Sequence, residues 1–426
     1  MESTRIRVVI TGRGVISPVG NDVQTFWDNL LHGYSGIERV TLFDPSPFPT
    51  QIAGEVKEWK PELWMDRKEA RRMARCSQFA IAAARQAVDD AGLHEGNIDE
   101  GTGIFLGTGI GGFDQGYAGM MALHSERGWK SISPFHLPGA LPNMPAYHIA
   151  VTFGIRGYLS THASACATGT QAVIEAAEVI RRGWAHTIIT GGTEAAINDV
   201  AFGGYCSMRG MSTRNDAPHQ AIRPFDQERD GFLMGEGAAV FVLESLEHAQ
   251  ARGATIYGEV MGGAATSDAF HMAQPDPEGL GAVRAMQLAA KYSGVALEQI
   301  GYINPHGPGT PMGDAVEVKA MKQAFGEHIY QVPISSTKSM VGHAMGAAGA
   351  LEGLATLLTL ETQRIHPTLN CDNPDPEFGL DFVTAEARRA KVEYAMSSNF
   401  GLGGQNASMI LRRWSRNGNG NGNGHE

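Results

Sequence analysis

Short, nearly continuous apolar runs alternate along this chain with segments of helical periodicity, and that alternation limits the fold more than any other feature. Ile6, Val8, Val9 and Ile10 crowd residues 5–11 ahead of Gly12, as in a strand buried on both faces. Asn21 is placed to cap a helix through Leu31 that stops at Gly33, and 66–91 reads as one long helix. Strands are expected at 103–107, 187–190 and 238–243, and the last leads into a helix over 245–252. Near Ile256 the order begins again. A strand at 257–264, a helix at 283–290, a strand at 301–304, a helix at 313–325 and a strand at 332–336 precede a small-residue helix at 346–360. Strands at 392–397 and 407–411 close the series. Strands alternating with helices predict a mainly parallel sheet with helices on its faces.

With 42% hydrophobic and 19% charged residues, the chain has the makeup of a folded protein with a large core. A net charge of -11 argues against a nucleic-acid surface as its main business. The absence of a long apolar stretch, and a start that runs straight into a strand, lead us to expect a cytoplasmic protein without a membrane span. Four cysteines (Cys76, Cys166, Cys206, Cys371) without paired spacing fit reduced thiols, and neither CxxC nor HExxH occurs to hold zinc.

The chemically loaded stretch is Ser164-Ala165-Cys166-Ala167-Thr168-Gly169-Thr170. Val173, Ala176, Ala177 and Ile180 follow at helical spacing, so Cys166 sits at a strand-to-helix turn among small neighbours. Those neighbours leave the sulfur uncovered, and the helix N–H groups favour a thiolate. The plain alternative is a buried small hydrophobe. Two later loops weigh against it. Asn304-Pro305-His306-Gly307-Pro308-Gly309-Thr310 and Ser336-Thr337-Lys338-Ser339-Met340-Val341-Gly342-His343 each lie just beyond an expected strand. Ends of parallel strands gather ligands, so the three loops can converge on one crevice. Residues 108–112 form a glycine-rich turn after a strand, yet carry neither GxGxxG nor a P-loop lysine. Arg67, Lys68, Arg71 and Arg72 make a basic helix start in an acidic protein: either a solvated end or a dock for an acidic partner.

Taken together, Ala165-Cys166-Ala167-Thr168-Gly169, His306-Gly307-x-x-Thr310-Pro311, Lys338-Ser339-x-x-Gly342-His343 and Asn399-Phe400-Gly401-Leu402-Gly403-Gly404 resemble the successive signatures of β-ketoacyl-acyl-carrier-protein synthases. The elongating, type II condensing enzymes are the nearest match, from about Ile6 to Arg412. The resemblance implies an α/β, thiolase-like fold with two βαβαβαββ halves in a five-layered α-β-α-β-α core. Residues 1–255 would carry the nucleophile and 256–413 the two histidines, leaving 414–426 as a flexible Asn/Gly tail.

The same resemblance implies a two-stage, decarboxylating Claisen condensation in fatty acid elongation. Cys166 would take the acyl group from acyl carrier protein. His306 and His343, as neutral imidazoles, would stabilise the enolate formed from malonyl carrier protein. The N–H groups of Cys166 and Leu402 would form the oxyanion hole, Lys338 would orient the site through Glu352, and Phe400 would support it. Ile110, Tyr205, Thr310 and Leu402 fall at acyl-pocket and pantetheine positions. Lys68, Arg71, Arg72, Lys130 and Arg209 fall where relatives dock the carrier protein, which favours the docking reading of the basic helix start. No cofactor is implied beyond the carrier's phosphopantetheine, and the usual assembly is a homodimer. In some relatives a cation sits near positions matching Asn304, Glu352, Ser397 and Ser398, but Ser398 replaces the usual Asn, and no metal is assigned.

Departures from the pattern bear on substrate. Pro308 and Ala273 replace hydroxyl residues, Leu402 replaces a gating Phe, and Tyr205 puts a polar tip where Phe is common. They leave open a catalytic ketosynthase subunit of a type II polyketide or polyene pathway, paired in a heterodimer with a non-catalytic chain-length partner. Cys166 with both histidines argues against this chain being that non-catalytic partner. A CoA-dependent thiolase would need a second late cysteine, and Cys371 lacks a glycine-rich setting.

Overall fold

The computed structural model describes residues 5–94 and 96–415. Nine strands form its central sheet: β1 (Val8–Ile16), β2 (Gly103–Gly107), β3 (Leu159–His162), β4 (Thr187–Glu194), β5 (Gly237–Ser245), β6 (Gly258–Ser267), β7 (Ile300–Asn304), β8 (Tyr394–Gly401) and β9 (Gln405–Arg413). Their spatial order is β3-β2-β4-β5-β1-β6-β9-β8-β7. Read inward from either edge, the pattern is the same. On one side β3, β2 and β4 are parallel while β5 and β1 alternate in direction. On the other, the extended segment at Ile334 runs parallel to β7, and β7 parallel to β8, before β9 and β6 alternate. The two sets meet only where β1 pairs with β6, at Val9–Glu259 and Ile10–Gly258.

Five helices complete the layers: α1 (Arg75–Asp90), α2 (Thr168–Arg181), α3 (Leu280–Ser293), α4 (Pro311–Phe325) and α5 (Ala348–Thr362). Helix α1 covers the outer face of β1 and β5, and α3, backed by α4, covers β6 and β9. Between the two sets of strands, α2 packs on β2 and β4, α5 packs on β8, and the two helices pack on each other. This is the thiolase-like, five-layered α-β-α-β-α arrangement. Residues 348–360 are all buried, as the middle layer requires.

The contact between α2 and α5 depends on glycine. A methyl group on Gly169 would stand 2.6 Å from the Ala350 nitrogen, and one on Gly349 would stand 2.5 Å from the Thr170 nitrogen. Neither could be accommodated without moving backbone. The first turns of both helices are therefore in contact, and the residues just ahead of each, Cys166 and His343, are brought to one place.

Several boundaries differ from the sequence reading, each for a tertiary reason. Strand β1 continues past Gly12 to Ile16, because Gly12 and Gly14 admit α1 against the strand. A Cβ there would lie 2.0 Å from the Ala87 oxygen and 1.9 Å from the Ala83 oxygen. The cap of the first helix is Asp22, which accepts the Thr25 N–H at 2.8 Å, rather than Asn21. The expected helix over 66–91 is broken into Arg67–Ala70 and α1. Arg75 starts α1 anew because its guanidinium holds the buried Glu236 carboxylate at 2.7 Å and 3.0 Å. Residues 332–336 join their neighbours only through single bridges at Ile334. The Asn/Gly end lies outside the described residues from 416 onward.

Candidate active site

Cys166 occupies the short 3-10 turn Ala165–Ala167 that leads into α2, and His343 precedes a second such turn, Met345–Ala347, that leads into α5. Ala165 and Met345 both take positive φ, 50° and 46°, so the two turns are conformational copies. His306 follows the end of β7. The three side chains line one cavity of about 580 Å³ together with Phe400 and Leu402. The rings of His306 and His343 stand 5.2 Å apart, nearly perpendicular. Gly401 is needed beside them, since a Cβ there would lie 2.9 Å from the Cys166 nitrogen. Cys371, although buried, does not reach this cavity.

The sequence reading expected an uncovered thiolate at Cys166, and the surroundings favour the opposite. The residue is 6% exposed. Burial pushes its thiol up to about 11, against the weaker pull of the Leu402 N–H and of Lys338, which both favour the thiolate. Both histidines are held well below the usual imidazole range, first by burial and then by the Lys338 charge. They are neutral at pH 7. His343 Nδ1 accepts the Met345 N–H at 3.2 Å, which leaves the ring proton on Nε2.

Lys338 and Glu352 form a buried ion pair, 0% and 1% exposed. Glu352 also accepts from Asn399 Nδ2 at 2.7 Å, and the Asn399 amide oxygen accepts the Thr170 hydroxyl at 2.5 Å. This chain ties the 338–343 loop to β8 and to the first turn of α2.

Three carboxylates absent from the sequence reading brace the loops. Glu317 on α4 accepts the N–H groups of His306 and Gly307 at 2.7 Å and 2.6 Å, and burial raises it to about 8. Asp314, one turn earlier, accepts those of Gly309 and Thr310 at 3.0 Å and 3.2 Å. Glu194 at the end of β4 fills the glycine-rich 108–112 turn, taking the Gly109 N–H at 2.7 Å and the Gly346 N–H at 3.0 Å. A protein carboxylate therefore occupies the place that a phosphate would take in such a turn. Asp314 and Glu317 share one face of α4 at i, i+3, just after a glycine-rich loop. That spacing was the available signal.

Thr310, Tyr205, Ala273 and Pro308 line the cavity. The Thr310 hydroxyl also caps α4 by accepting the Gly313 N–H at 3.2 Å. The Tyr205 hydroxyl donates to the Met345 sulfur at 3.4 Å. Ile110 does not reach the cavity and is 42% exposed. Lys68, Arg71, Arg72, Lys130 and Arg209 are all exposed, and Arg72 lies over the Phe135 ring. Behind the site, Asn304 Oδ1 and Ser397 Oγ are buried without a partner, the kind of oxygens a cation would use. Ser398 is instead committed to Ser408 at 2.8 Å, and no cluster of three His, Cys, Asp or Glu groups suited to a metal occurs among the described residues.

Residues 5–249 match the family model described as beta-ketoacyl synthase, N-terminal domain, and 257–372 match the C-terminal domain model. The chain is 45% identical over 419 residues to 3-oxoacyl-[acyl-carrier-protein] synthase 2 of a Staphylococcus aureus strain, covering 97% of this chain and 99% of the relative. Identity to the protein of that name from Synechocystis is 43% over 410 residues, 96% of this chain and 98% of the other. Among solved structures, the ishigamide ketosynthase/chain length factor superposes with a TM-score of 0.91 at 34% identity, over 97% of this chain and all of that one. A β-ketoacyl synthase from Burkholderia phymatum gives 0.90 at 35% identity, over 96% of this chain and all of the other.

Proposed function

The chain belongs to the β-ketoacyl synthase family, and we propose that Cys166, His306, His343 and Lys338 carry its condensing reaction. The reaction extends an acyl chain by two carbons in fatty acid synthesis. In its first half, Cys166 sulfur attacks the thioester of acyl carrier protein, the acyl group moves to the cysteine, and the thiol proton passes to the departing phosphopantetheine sulfur. The N–H groups of Cys166 and Leu402 stabilise the oxyanion formed on the way. In the second half, malonyl carrier protein loses CO2 and its C2 carbanion attacks the acyl-cysteine carbonyl. The cysteine sulfur leaves and takes up a proton, which restores the thiol.

The observation that carries this reading is one cavity lined by a cysteine and two neutral histidines. A neutral imidazole N–H donates to an enolate oxygen without the desolvation cost of an imidazolium. For His343, whose Nδ1 lone pair already accepts the Met345 N–H, the Nε2–H is the group left to face the cavity, so this ring acts as a donor and not as a base. Burial, reinforced by the Lys338 charge, keeps both rings neutral, and Lys338 with Glu352 and Asn399 ties the loop that bears His343 to α2.

Carrier protein is acidic in character where the exposed Lys68, Arg71, Arg72, Lys130 and Arg209 would meet it, and we assign them to docking. We also read the protein as a cytoplasmic homodimer. Among the described residues no helix is long and apolar enough to cross a membrane. Edge strand β3 is unpaired on one side, and Met120, Met121, Leu137, Leu141 and Val151 are exposed in the neighbouring segments. One observation favours a polyketide or polyene substrate instead: the Tyr205 hydroxyl places a polar group beside Met208, Phe232 and Met345 in the cavity lining.

The test is intact-mass spectrometry of wild type and Cys166→Ala with acyl carrier proteins of graded chain length, followed by malonyl carrier protein. An adduct on the wild type alone, released as a β-ketoacyl product two carbons longer, is the expected result. No adduct from any saturated chain would overturn fatty acid elongation and direct the search to oxygenated or polyene primers.

A further inference from the structure

His366 is fully buried behind the cavity, and no step of the condensing reaction uses it. Its surroundings fix the tautomer. Nδ1 lies 3.0 Å from the carbonyl oxygen of Pro367, which can only accept, so Nδ1 bears the proton. Nε2 is then an acceptor and takes the Thr337 hydroxyl proton at 3.0 Å. With that proton committed, Thr337 Oγ1 accepts from Asn304 Nδ2 at 2.8 Å. The nearest rival for the ring, Ser335 Oγ, stands 3.5 Å from Nδ1 and has a closer partner in the Tyr302 hydroxyl at 2.9 Å. Burial lowers the ring to about 4, so it stays neutral and accepting at working pH. Each donor in the series from Asn304 to Thr337 to His366 to Pro367 has one acceptor, and the direction cannot reverse.

What this chain joins is specific. Asn304 ends β7, two residues before His306. Thr337 immediately precedes Lys338 at the start of the loop that ends in His343. His366 follows α5, which carries Glu352. Among the described residues, none of the hydrogen bonds in the series goes to Cys166 or Leu402. We infer that His366 is a positioning residue for the decarboxylating half of the reaction, holding the two histidine-bearing loops in register through Thr337 and Asn304. The inference rests on the roles proposed for His306 and His343. A small displacement of such loops costs rate because enolate stabilisation depends on donor placement at the ångström level.

The two halves of the reaction are measured separately: acyl transfer to Cys166 by intact mass, and decarboxylation of malonyl carrier protein by release of CO2. In His366→Leu, decarboxylation is expected to fall about 10- to 100-fold while acyl transfer stays within about twofold. His366→Gln, whose side-chain oxygen can accept from Thr337, should recover most of the loss. Thr337→Val removes the link while keeping its shape, and serves if His366→Leu does not fold. Equal losses in both half-reactions, no loss in either, or a Gln variant no better than Leu would each overturn the inference. A wild type that performs neither half-reaction would instead overturn the proposed function.

Discussion

Replacing Lys338 by Met keeps the volume of the side chain and removes its charge from a site with no access to water. Its partner Glu352 is 1% exposed, and its one other side-chain donor is Asn399. Stranding a buried carboxylate in this way costs about 3–5 kcal/mol. The carboxylate escapes by taking a proton, since burial already raises it and Lys338 is the largest force holding it down. In a protein of this size the loss should lower the midpoint of thermal unfolding by on the order of 5 °C. The same charge favours the Cys166 thiolate while the Glu352 carboxylate opposes it, so loss of the ammonium together with protonation of Glu352 largely cancels, and alkylation at pH 8 should slow only slightly. The assay pairs differential scanning fluorimetry with iodoacetamide labelling and CO2 release from malonyl carrier protein. Lys338→Met/Glu352→Gln should regain most of the lost stability, because no charge is left unpaired, but should not regain decarboxylation. If the double variant decarboxylates at the wild-type rate, Lys338 acts only as a structural counter-ion. If Lys338→Met alone is as stable as wild type, the burial argument itself is wrong.

Other perturbations separate the remaining parts of the site. Labelling of Cys166 in wild type should rise about tenfold per pH unit from 7 to 10, since a thiol near 11 exposes that much more thiolate at each step; a plateau near pH 7 would contradict the raised value. Glu317 holds a proton in the folded protein between its ordinary value of 4.5 and about 8, where the unfolded chain has released it. Its contribution to stability therefore falls as pH rises through that window, and Glu317→Gln should flatten the slope seen in chemical denaturation. Glu317→Ala leaves the His306 and Gly307 N–H groups without an acceptor, which costs about 2–5 kcal/mol and should lower decarboxylation more than acyl transfer. Gly14→Ala sets a methyl 1.9 Å from the Ala83 oxygen, so α1 must lift from β1; a loss of about 3 kcal/mol or more, read by denaturation, is expected.

Much of the architecture was legible because buried strands and amphipathic helices carry local, periodic signatures. The runs at Val8–Ile10, Gly103–Gly107 and Ile300–Asn304 could be little else, and their alternation with helices predicted a sheet with covered faces. The expected mainly parallel order fails, because the middle of the sheet, β4-β5-β1-β6-β9-β8, is joined by antiparallel pairings and only the strands toward the two edges run parallel. Loops at strand ends then brought Cys166, His306, Lys338 and His343 forward as a group; Cys166 and the two histidines line the cavity, while Lys338 is fully buried and does not. Boundaries set from a distance were not legible. The break before Arg75 depends on Glu236, 161 residues away in sequence, and the persistence of β1 past Gly12 depends on the approach of α1.

The sequence by itself determined which chemistry is present: a thiol, two imidazoles and an ammonium group, each fixed by covalent identity, and each in a loop whose glycines permit close approach. Their protonation states were decided only by tertiary structure. A helix start argues for a thiolate at Cys166, yet the same cysteine, packed between α2, α5 and β8, loses enough solvation to remain a thiol at neutral pH. Depth of burial, the pairing of Lys338 with Glu352, and the reach of Glu317 and His366 to loops distant in sequence are properties of packing. A pattern of residues along a chain carries charge types and spacings, but not the dielectric that surrounds them once the layers close.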